Sequence, residues 1–455
     1  MMVKWPRLDP ITRKRLERFR RIKRGYYSLL ILLVAIVLSI FASYLAESRA
    51  LFVWYGGRPF FPTFRFYPMS TFKQEPPAAW QTASLETEYR RLQREWAVER
   101  TLYERELAQR GDTPAVRAEL DARYPDRKNF VVMPPIPWNP YENDFWYNEV
   151  LPEIQQALAN DPATAARLAR REGLDELAGA IANGKLASML ADRAQSPTGT
   201  LLGLSRTGAM RSLRGLGVTP PTPPDVRRGH YLGTDSQGRD VAARLLYGFR
   251  ISIFFALFLV FFGQLIGTIV GSLQGYLGGR FDILSQRVLE ILLSIPFLYV
   301  VIVLAALFTP SFWLLLVIMA LFQWINITFY MRTEMYREKT REYCLAAKSY
   351  GASHLRVIFR HLLPNTLTPL VTFTPFAVVS AIFALTALDY LGYGLPAPTP
   401  SWGELIDQAL QPQNRTHLWL TLAPFGALTI TLVLVVLIGE SVRETFDPKQ
   451  YSRYE

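Results

Sequence analysis

Cysteine occurs once in the 455 residues, as Cys344, and histidine only four times. A single thiol excludes an internal disulfide framework and any multi-thiolate metal site, and four imidazoles leave little material for a metal or histidine-based catalytic centre. His230 and His354 are expected at the surface rather than as ligands. No complete G-x-x-x-x-G-K-[ST] loop is present to cradle phosphates. The nearest approach, Gly179 to Lys185 (GAIANGK), has Leu186 where a Mg-binding hydroxyl would stand and no strand before it. Serine-elbow and His-Glu-x-x-His patterns are also missing. Concentrated charge is lacking too. Residues 47–229 hold 24 Lys/Arg against 22 Asp/Glu, a balance of +2 out of the formal +12. With no basic domain, nucleic acid is not an expected partner.

What the chain does have is long apolar runs with no polar face, unlike the striped pattern of a soluble core helix. Each reaches the roughly 20 residues needed to cross a bilayer at about 1.5 Å per residue. The sequence predicts spans at Tyr26–Leu45, Ile251–Tyr276, Val288–Phe308, Phe312–Tyr330, Leu367–Thr386 and Leu418–Ile438. The excess positive charge sits beside them, where membrane orientation is set. Ten basic residues from Lys4 to Arg24 precede the first span, opposed only by Asp9 and Glu17. The length of that leader and of the run favours an uncleaved anchor over a signal peptide, although Ala46-Glu47-Ser48 loosely fits a cleavage site. Arg280 and Arg287, the basic loop from Arg332 to Arg360, and the tail with Arg443, Lys449 and Arg453 fall on the same side as that leader. Both termini are therefore expected in the cytoplasm, and residues 47–229 outside it.

That insert reads as mostly helical. Tyr89–Arg110 is a charged helix with opposite-sign neighbours, Pro114–Arg123 starts on a favourable first-turn proline, and Pro162–Lys185 is alanine-rich. Met133–Asp144 (MPPIPWNPYEND) should be extended, and Pro220–Pro224 reads as a stiff linker. Trp138, Phe145 and Trp146 suggest a protein-facing surface, or equally the core of a spacer.

Two patterns in the membrane half carry functional expectations. Gly263, Gly267, Gly271 and Gly275 recur every fourth residue and make a groove along one helix face, a place for close helix packing. The segment Arg332–Asn365 (RTEMYREKTREYCLAAKSYGASHLRVIFRHLLPN) places Cys344, Ala347, Gly351, Leu355, Ile358 and Leu362 at helical spacing, with Arg356 and Arg360 on the far face. Gly351 should join two short helices, with Ser353 capping the second and Pro364 ending it. Such a loop suits either a lever for another protein or an amphipathic helix lying on lipid head groups.

Ala346-Ala347, Gly351, His361, Pro364 and Asn365 resemble the cytoplasmic loop of ABC-importer permeases, whose pattern is Glu-Ala-Ala, then Gly, then Pro-Asn. The family's Glu position is Leu345 here, and Glu342 stands about one turn earlier. Leu232–Asp240 (LGTDSQGRD) with Arg244–Gly248 (RLLYG), Thr386–Pro396 (TALDYLGYGLP) with Gly403-Glu404-Leu405, and Ile438–Arg443 (IGESVR) with Phe446-Asp447-Pro448 resemble the oligopeptide, dipeptide and nickel permeases. Leu51–Pro62 (LFVWYGGRPFFP) is similar to the branch found in oligopeptide and microcin C importers.

The resemblance implies an all-α membrane protein with six transmembrane helices and a large, mostly helical periplasmic insert after the first span. Its parts would be a basic cytoplasmic N-terminus (1–25), a first transmembrane helix (26–46), the insert (47–229), a five-helix core (230–440) containing the coupling loop 332–365, and a cytoplasmic tail (441–455). It implies a bacterial inner-membrane transport subunit, not an enzyme, and no cofactor in this chain. ATP and Mg would be held by a partner ABC ATPase, and the other partners would be a sister permease, a periplasmic peptide-binding protein and membrane lipid. The coupling residues implied are Glu342, Ala346, Ala347, Gly351, His361, Pro364 and Asn365. Peptides are the expected cargo, with nickel or an oligosaccharide as alternatives. From a different class, a membrane-anchored sensor would explain the large insert.

Overall fold

The computed structural model describes residues 10–74, 86–144, 162–171, 179, 181–183, 200–201, 204–205, 220–226 and 228–446. Phe145, Trp146, the Gly179–Lys185 stretch as a whole, Asp447 and Pro448 lie outside them, as does most of the predicted third insert helix beyond Arg171. Two compact units result: residues 1–39, 248–407 and 424–455 form one, and residues 40–247 and 408–423 the other.

The first unit is helical. Helices α1 (Pro10–Arg21) and α2 (Lys23–Ile40) lead the chain. Gly25 of α2 lies so close to the last long helix that a Cβ there would sit 2.1 Å from the Ser441 hydroxyl oxygen, and Arg24 reaches Glu444 at 3.0 Å. Among the described residues five helices are long and apolar enough to cross a membrane. They are α2, α6 (Val241–Leu277), α9 (Phe312–Glu338), α11 (Leu367–Tyr390) and α13 (Leu418–Phe446). The expected span Val288–Phe308 is not one helix. It divides into α7 (Gly279–Ser294) and α8 (Phe297–Leu307), bent by 70°, and only as a broken span would it make a sixth crossing. Pro296 explains the break, since it lacks an N–H and forces the residue before it out of the helical region. Ile295 accordingly adopts φ −84°, ψ 116°.

The second unit contains a small three-stranded sheet, so the all-α expectation does not extend to the insert. Strand β1 (Phe52–Tyr55) lies between β2 (Arg58–Phe60) and β3 (Phe130–Val132), antiparallel to both. Gly56 and Gly57 make the β1–β2 turn with φ of +56° and +78°, as a two-residue hairpin requires. Helix α3 (Tyr89–Arg110) closes an aromatic core with Val53, Phe72, Tyr89, Leu92, Trp96 and Val131, and Tyr55 stacks on Trp96 at 5.6 Å. Helix α4 (Pro114–Arg123) begins at Thr113, whose side chain accepts a hydrogen bond from Val116 N–H. Helix α5 (Pro162–Arg171) is the first part of the third predicted helix. Pro221 and Thr222 are buried, and Thr222 N–H donates to Thr234 Oγ1 at 2.8 Å, so this end of the proline run is anchored rather than a free linker.

Candidate functional site

The glycine face of α6 meets α9 backbone to backbone. A Cβ on Gly267 would lie 2.4 Å from the Trp324 carbonyl oxygen, on Gly271 2.5 Å from that of Thr328, and on Gly275 2.5 Å from that of Arg332. Each step of four on α6 is matched by a step of four on α9. Gly263 differs, since the nearest atom to its missing Cβ is the flexible Gln323 Cγ, at 2.8 Å. Dispersion between closely apposed backbones holds helices together where lipid supplies no hydrophobic drive. Beside the groove, Arg332 makes a two-pronged pair with Asp282 of α7, both contacts 2.6 Å, and Tyr336 donates to the same carboxylate at 2.7 Å.

The loop after α9 starts later than its sequence suggests, because α9 continues to Glu338. Helix α10 (Glu342–Ser349) follows, then Gly351 at φ +77°, a helical turn His354–Arg356, a π-helical stretch Val357–Leu362 and a 3₁₀ turn Leu363–Asn365 leading into α11. Ser353 stands at the start of the second helix, yet its side chain makes no capping bond. The inner face is Cys344, Val357, Ile358 and Leu362, packed on Tyr276 of α6 and on Ile327, Met331 and Met335 of α9, with Ala347 against the cluster. Leu355, placed on the apolar stripe by spacing, is instead 62% exposed, and Val357 is buried. Gly351 in the left-handed region resets the helical phase, and the wider π winding shifts it again.

The outer face shows Leu345, Tyr350, Leu355 and Phe359, with Tyr350 92% exposed. Glu342, Ala346, Pro364 and Asn365 are exposed, His361 is half-buried, and Asn365 donates to the His361 carbonyl at 2.8 Å. A Cβ on Gly351 would meet nothing within 4 Å among the described residues. At the root of the loop Lys339 Nζ donates to the Gly275 carbonyl at 2.7 Å. Burial, with Lys348 nearby, holds its ammonium below the usual lysine range. Burial and a hydrogen bond to Glu338 push the Tyr343 hydroxyl up to about 12.

The LGTDSQGRD and TALDYLGYGLP segments are polar knots. Asp235 accepts from the Gln237 and Arg239 backbone N–H groups and from Arg239 Nε, and Asp240 caps α6 through Ala243 N–H at 2.7 Å. His230 is buried rather than at the surface, with Nδ1 2.8 Å from Asp240 and Nε2 3.0 Å from Asp144. Trp138 is buried too and donates to the Arg228 carbonyl at 2.8 Å, so it adds nothing to a protein-facing surface. Asp389 at the end of α11 accepts from Leu395 N–H at 2.7 Å and Ser401 Oγ at 2.5 Å. Gly403, in α12 (Trp402–Leu410), lies against the same turn, its missing Cβ 2.3 Å from the Thr386 carbonyl oxygen. Among the described residues no cluster of His, Cys, Asp and Glu could hold a metal.

Helices of membrane-crossing length and apolarity, joined by a loop packed on two of them, are the build of an integral membrane protein. Residues 263–450 match the family of binding-protein-dependent transport system inner membrane components. A peptidoglycan transport system permease protein of Agrobacterium fabrum is 42% identical over 224 residues, 49% of this chain and 58% of its own length. An inner membrane ABC transporter permease protein of Escherichia coli is 40% identical over 231 residues, 50% and 66% of the two chains. A dipeptide transport system permease protein of Bacillus subtilis is 36% identical over 220 residues, 48% and 69%. The chain belongs to this family, the one its loop and flanking motifs resemble. It matches only about three-fifths to two-thirds of the length of the first two of these relatives.

Proposed function

We propose that the chain is the permease subunit of an ATP-driven importer that moves peptides across the inner membrane, with a sister permease, ABC ATPase subunits and an external binding protein. The observation that carries this reading is the Arg332–Asn365 loop. Its inner face is locked onto α6 and α9, while its outer face exposes Leu345, Tyr350 and Leu355. Coupling needs a contact that differs in energy between two states, and a rigid loop with an apolar outer face meets that need. ATP binding would close the motor domains, the loop would transmit the movement, and the spans would change the side to which they open. ATP and Mg belong to the ATPase, since this chain has no phosphate-cradling loop. The names of the relatives, which include peptidoglycan and dipeptide transport, support a peptide-containing cargo. The basic flanks support cytoplasmic termini and an insert outside.

Tagged chain purified from membranes should bring with it an ATPase, a second permease and a binding protein whose ligand is a peptide. ATP turnover by the chain free of other subunits, or no ATPase in the purified material, would overturn the proposal.

A further inference from the structure

We propose that Tyr276 is the positioning residue through which movement of the loop reaches α6, an inference that rests on the transport reading above. The loop is covalently continuous with α9 and α11 but not with α6. Movement of the loop therefore reaches α6 through non-covalent contacts, along the α9 groove and, from the residues after Glu338, through contacts that gather at Tyr276 and its neighbour Gly275. The Tyr276 ring is buried in the inner face formed by Cys344, Val357, Ile358 and Leu362. Its hydroxyl pairs with His354 Nδ1 at 2.9 Å, in the turn just past Gly351. Lys348, at the end of α10, holds its ammonium 4.8 Å above the ring. Lys339, at the root of the loop, donates to the Tyr276 carbonyl at 3.4 Å and to that of Gly275 at 2.7 Å.

Three successive parts of the loop thus grip the same end of α6. Directly behind it the glycine face begins, with Gly275 and Gly271 against the α9 backbone. Side chains there have no room to take up a displacement by rotamer change, so the helix pair must shift as a block. The hydroxyl–imidazole bond is the directional part of this grip, while the ring supplies packing.

The test uses the whole importer, purified through this chain with its ATPase and placed in lipid nanodiscs. A bimane fluorophore on Ile269→Cys, on an exposed position of α6, reports movement of that helix without knowledge of the cargo. Native Cys344 is buried and labels little. ATP plus vanadate should change the bimane emission in the otherwise wild-type complex. Tyr276→Phe keeps the ring and should cut that change at least threefold while the ATPase stays bound. Adding His354→Ala to Tyr276→Phe should reduce it no further, since the two act through one bond. A full emission change in Tyr276→Phe overturns the inference, as does a wild-type α6 that does not respond. Loss of ATPase retention in Tyr276→Phe, matching any lost signal, would reduce the residue to a structural anchor and also overturn it. A wild-type preparation that retains no ATPase would instead bring down the transport reading, and this inference with it.

Discussion

Trp138 lies nearly flat on His230, with ring centroids 4.2 Å apart and planes inclined by 20°. The Arg90 guanidinium lies 3.7 Å from the centre of the Trp138 ring and is itself paired with Glu142. Both nitrogens of the imidazole face carboxylates, Asp144 on one side and Asp240 on the other, and Arg228 also pairs with Asp144. Carboxylates on both sides of the ring favour a proton on each of its nitrogens. Asp240 also caps α6, so the column ties the proline-rich segment before Asp144 to the start of that helix.

The first prediction follows from the charge of that ring. Burial works against the imidazolium, but its hydrogen bonds to Asp144 and Asp240 outweigh it and the His230 pKa is raised. A raised histidine stabilises the fold fully below its unfolded value of about 6.5, and the contribution is lost as pH rises through the folded value. Intrinsically corrected hydrogen-exchange protection of residues 138–144 and 228–240 should therefore be higher at about pH 6 than at about pH 9. His230→Gln should flatten this dependence and cost about 3 kcal/mol, because it removes the central partner of two buried carboxylates. Equal protection at both pH values in the wild type would refute it.

His230 also marks a limit of sequence reading. Its partners Asp144 and Trp138 lie 86 and 92 residues earlier in the chain, and no local pattern connects them. The long apolar helices were legible because hydropathy over a full span is a property of the segment itself. So were Cys344, Ile358 and Leu362 on the inner face of the loop, since helical spacing holds within each short helix. Leu355 and Val357 were not, because Gly351 and the π turn shift the phase between those helices. The hairpin was legible in principle, since Gly56-Gly57 between VWY and RPF is a two-residue turn signal. Its pairing with Phe130–Val132 depends on chain closure over more than seventy residues, which spacing does not encode.

The glycine groove predicts an order of tolerance. Gly271→Ala drives a methyl toward the Thr328 carbonyl oxygen, which is backbone and cannot turn aside. Gly263→Ala meets the movable Gln323 Cγ first, with backbone no nearer than 3.4 Å. Gly271→Ala should cost about 1–3 kcal/mol through overpacking, and Gly263→Ala well under half of that. Thermal unfolding of the two variants in detergent, followed by size-exclusion recovery, would show the difference. Equal stability would mean that α6 and α9 do not close as tightly in the membrane.

A third prediction concerns the pair Asp282–Arg332. Asp282 is nearly buried, whereas Arg332 is partly exposed. Arg332→Ala should be worse than Asp282→Asn, because it leaves a buried carboxylate with only Tyr336, while Asn still accepts and adds no charge. The expected gap is about 1–2 kcal/mol in unfolding free energy. The reverse order would indicate that the guanidinium serves something other than this carboxylate.

Orientation can be read with two engineered thiols. The proposed orientation, argued from the basic flanks of the spans, has residue 112 outside and residue 340 in the cytoplasm. Both Asp112 and Thr340 are exposed, so accessibility does not bias the comparison. In cells with a permeabilised outer membrane, an impermeant maleimide should label Asp112→Cys and spare Thr340→Cys until the inner membrane is broken. Labelling of Thr340→Cys alone in intact cells would invert the topology.

Gly351 separates two roles for the loop. At φ +77° any L side chain with a Cβ is disfavoured by roughly 1–2 kcal/mol, whereas Asn and Asp enter this region more easily than Ala. Among the described residues nothing lies within 4 Å of a Cβ there, so no clash with them enters the comparison. If the turn alone matters, Gly351→Asn and Gly351→Asp should both outperform Gly351→Ala. If the loop docks on an ATPase, a carboxylate beside the exposed Tyr350 and Leu355 is desolvated on binding, and Gly351→Asp should fall below both Ala and Asn. We expect the second order: normal insertion in all three variants, with ATPase retention and uptake lost in Gly351→Asp and only weakened in Gly351→Ala. Replacing Arg356, exposed on the far side of the turn, should do much less. A loop that merely rests on lipid would reverse that last comparison, because loss of a basic residue near anionic head groups costs about 1 kcal/mol. Full ATPase retention in Gly351→Asp would remove this loop from the mechanism.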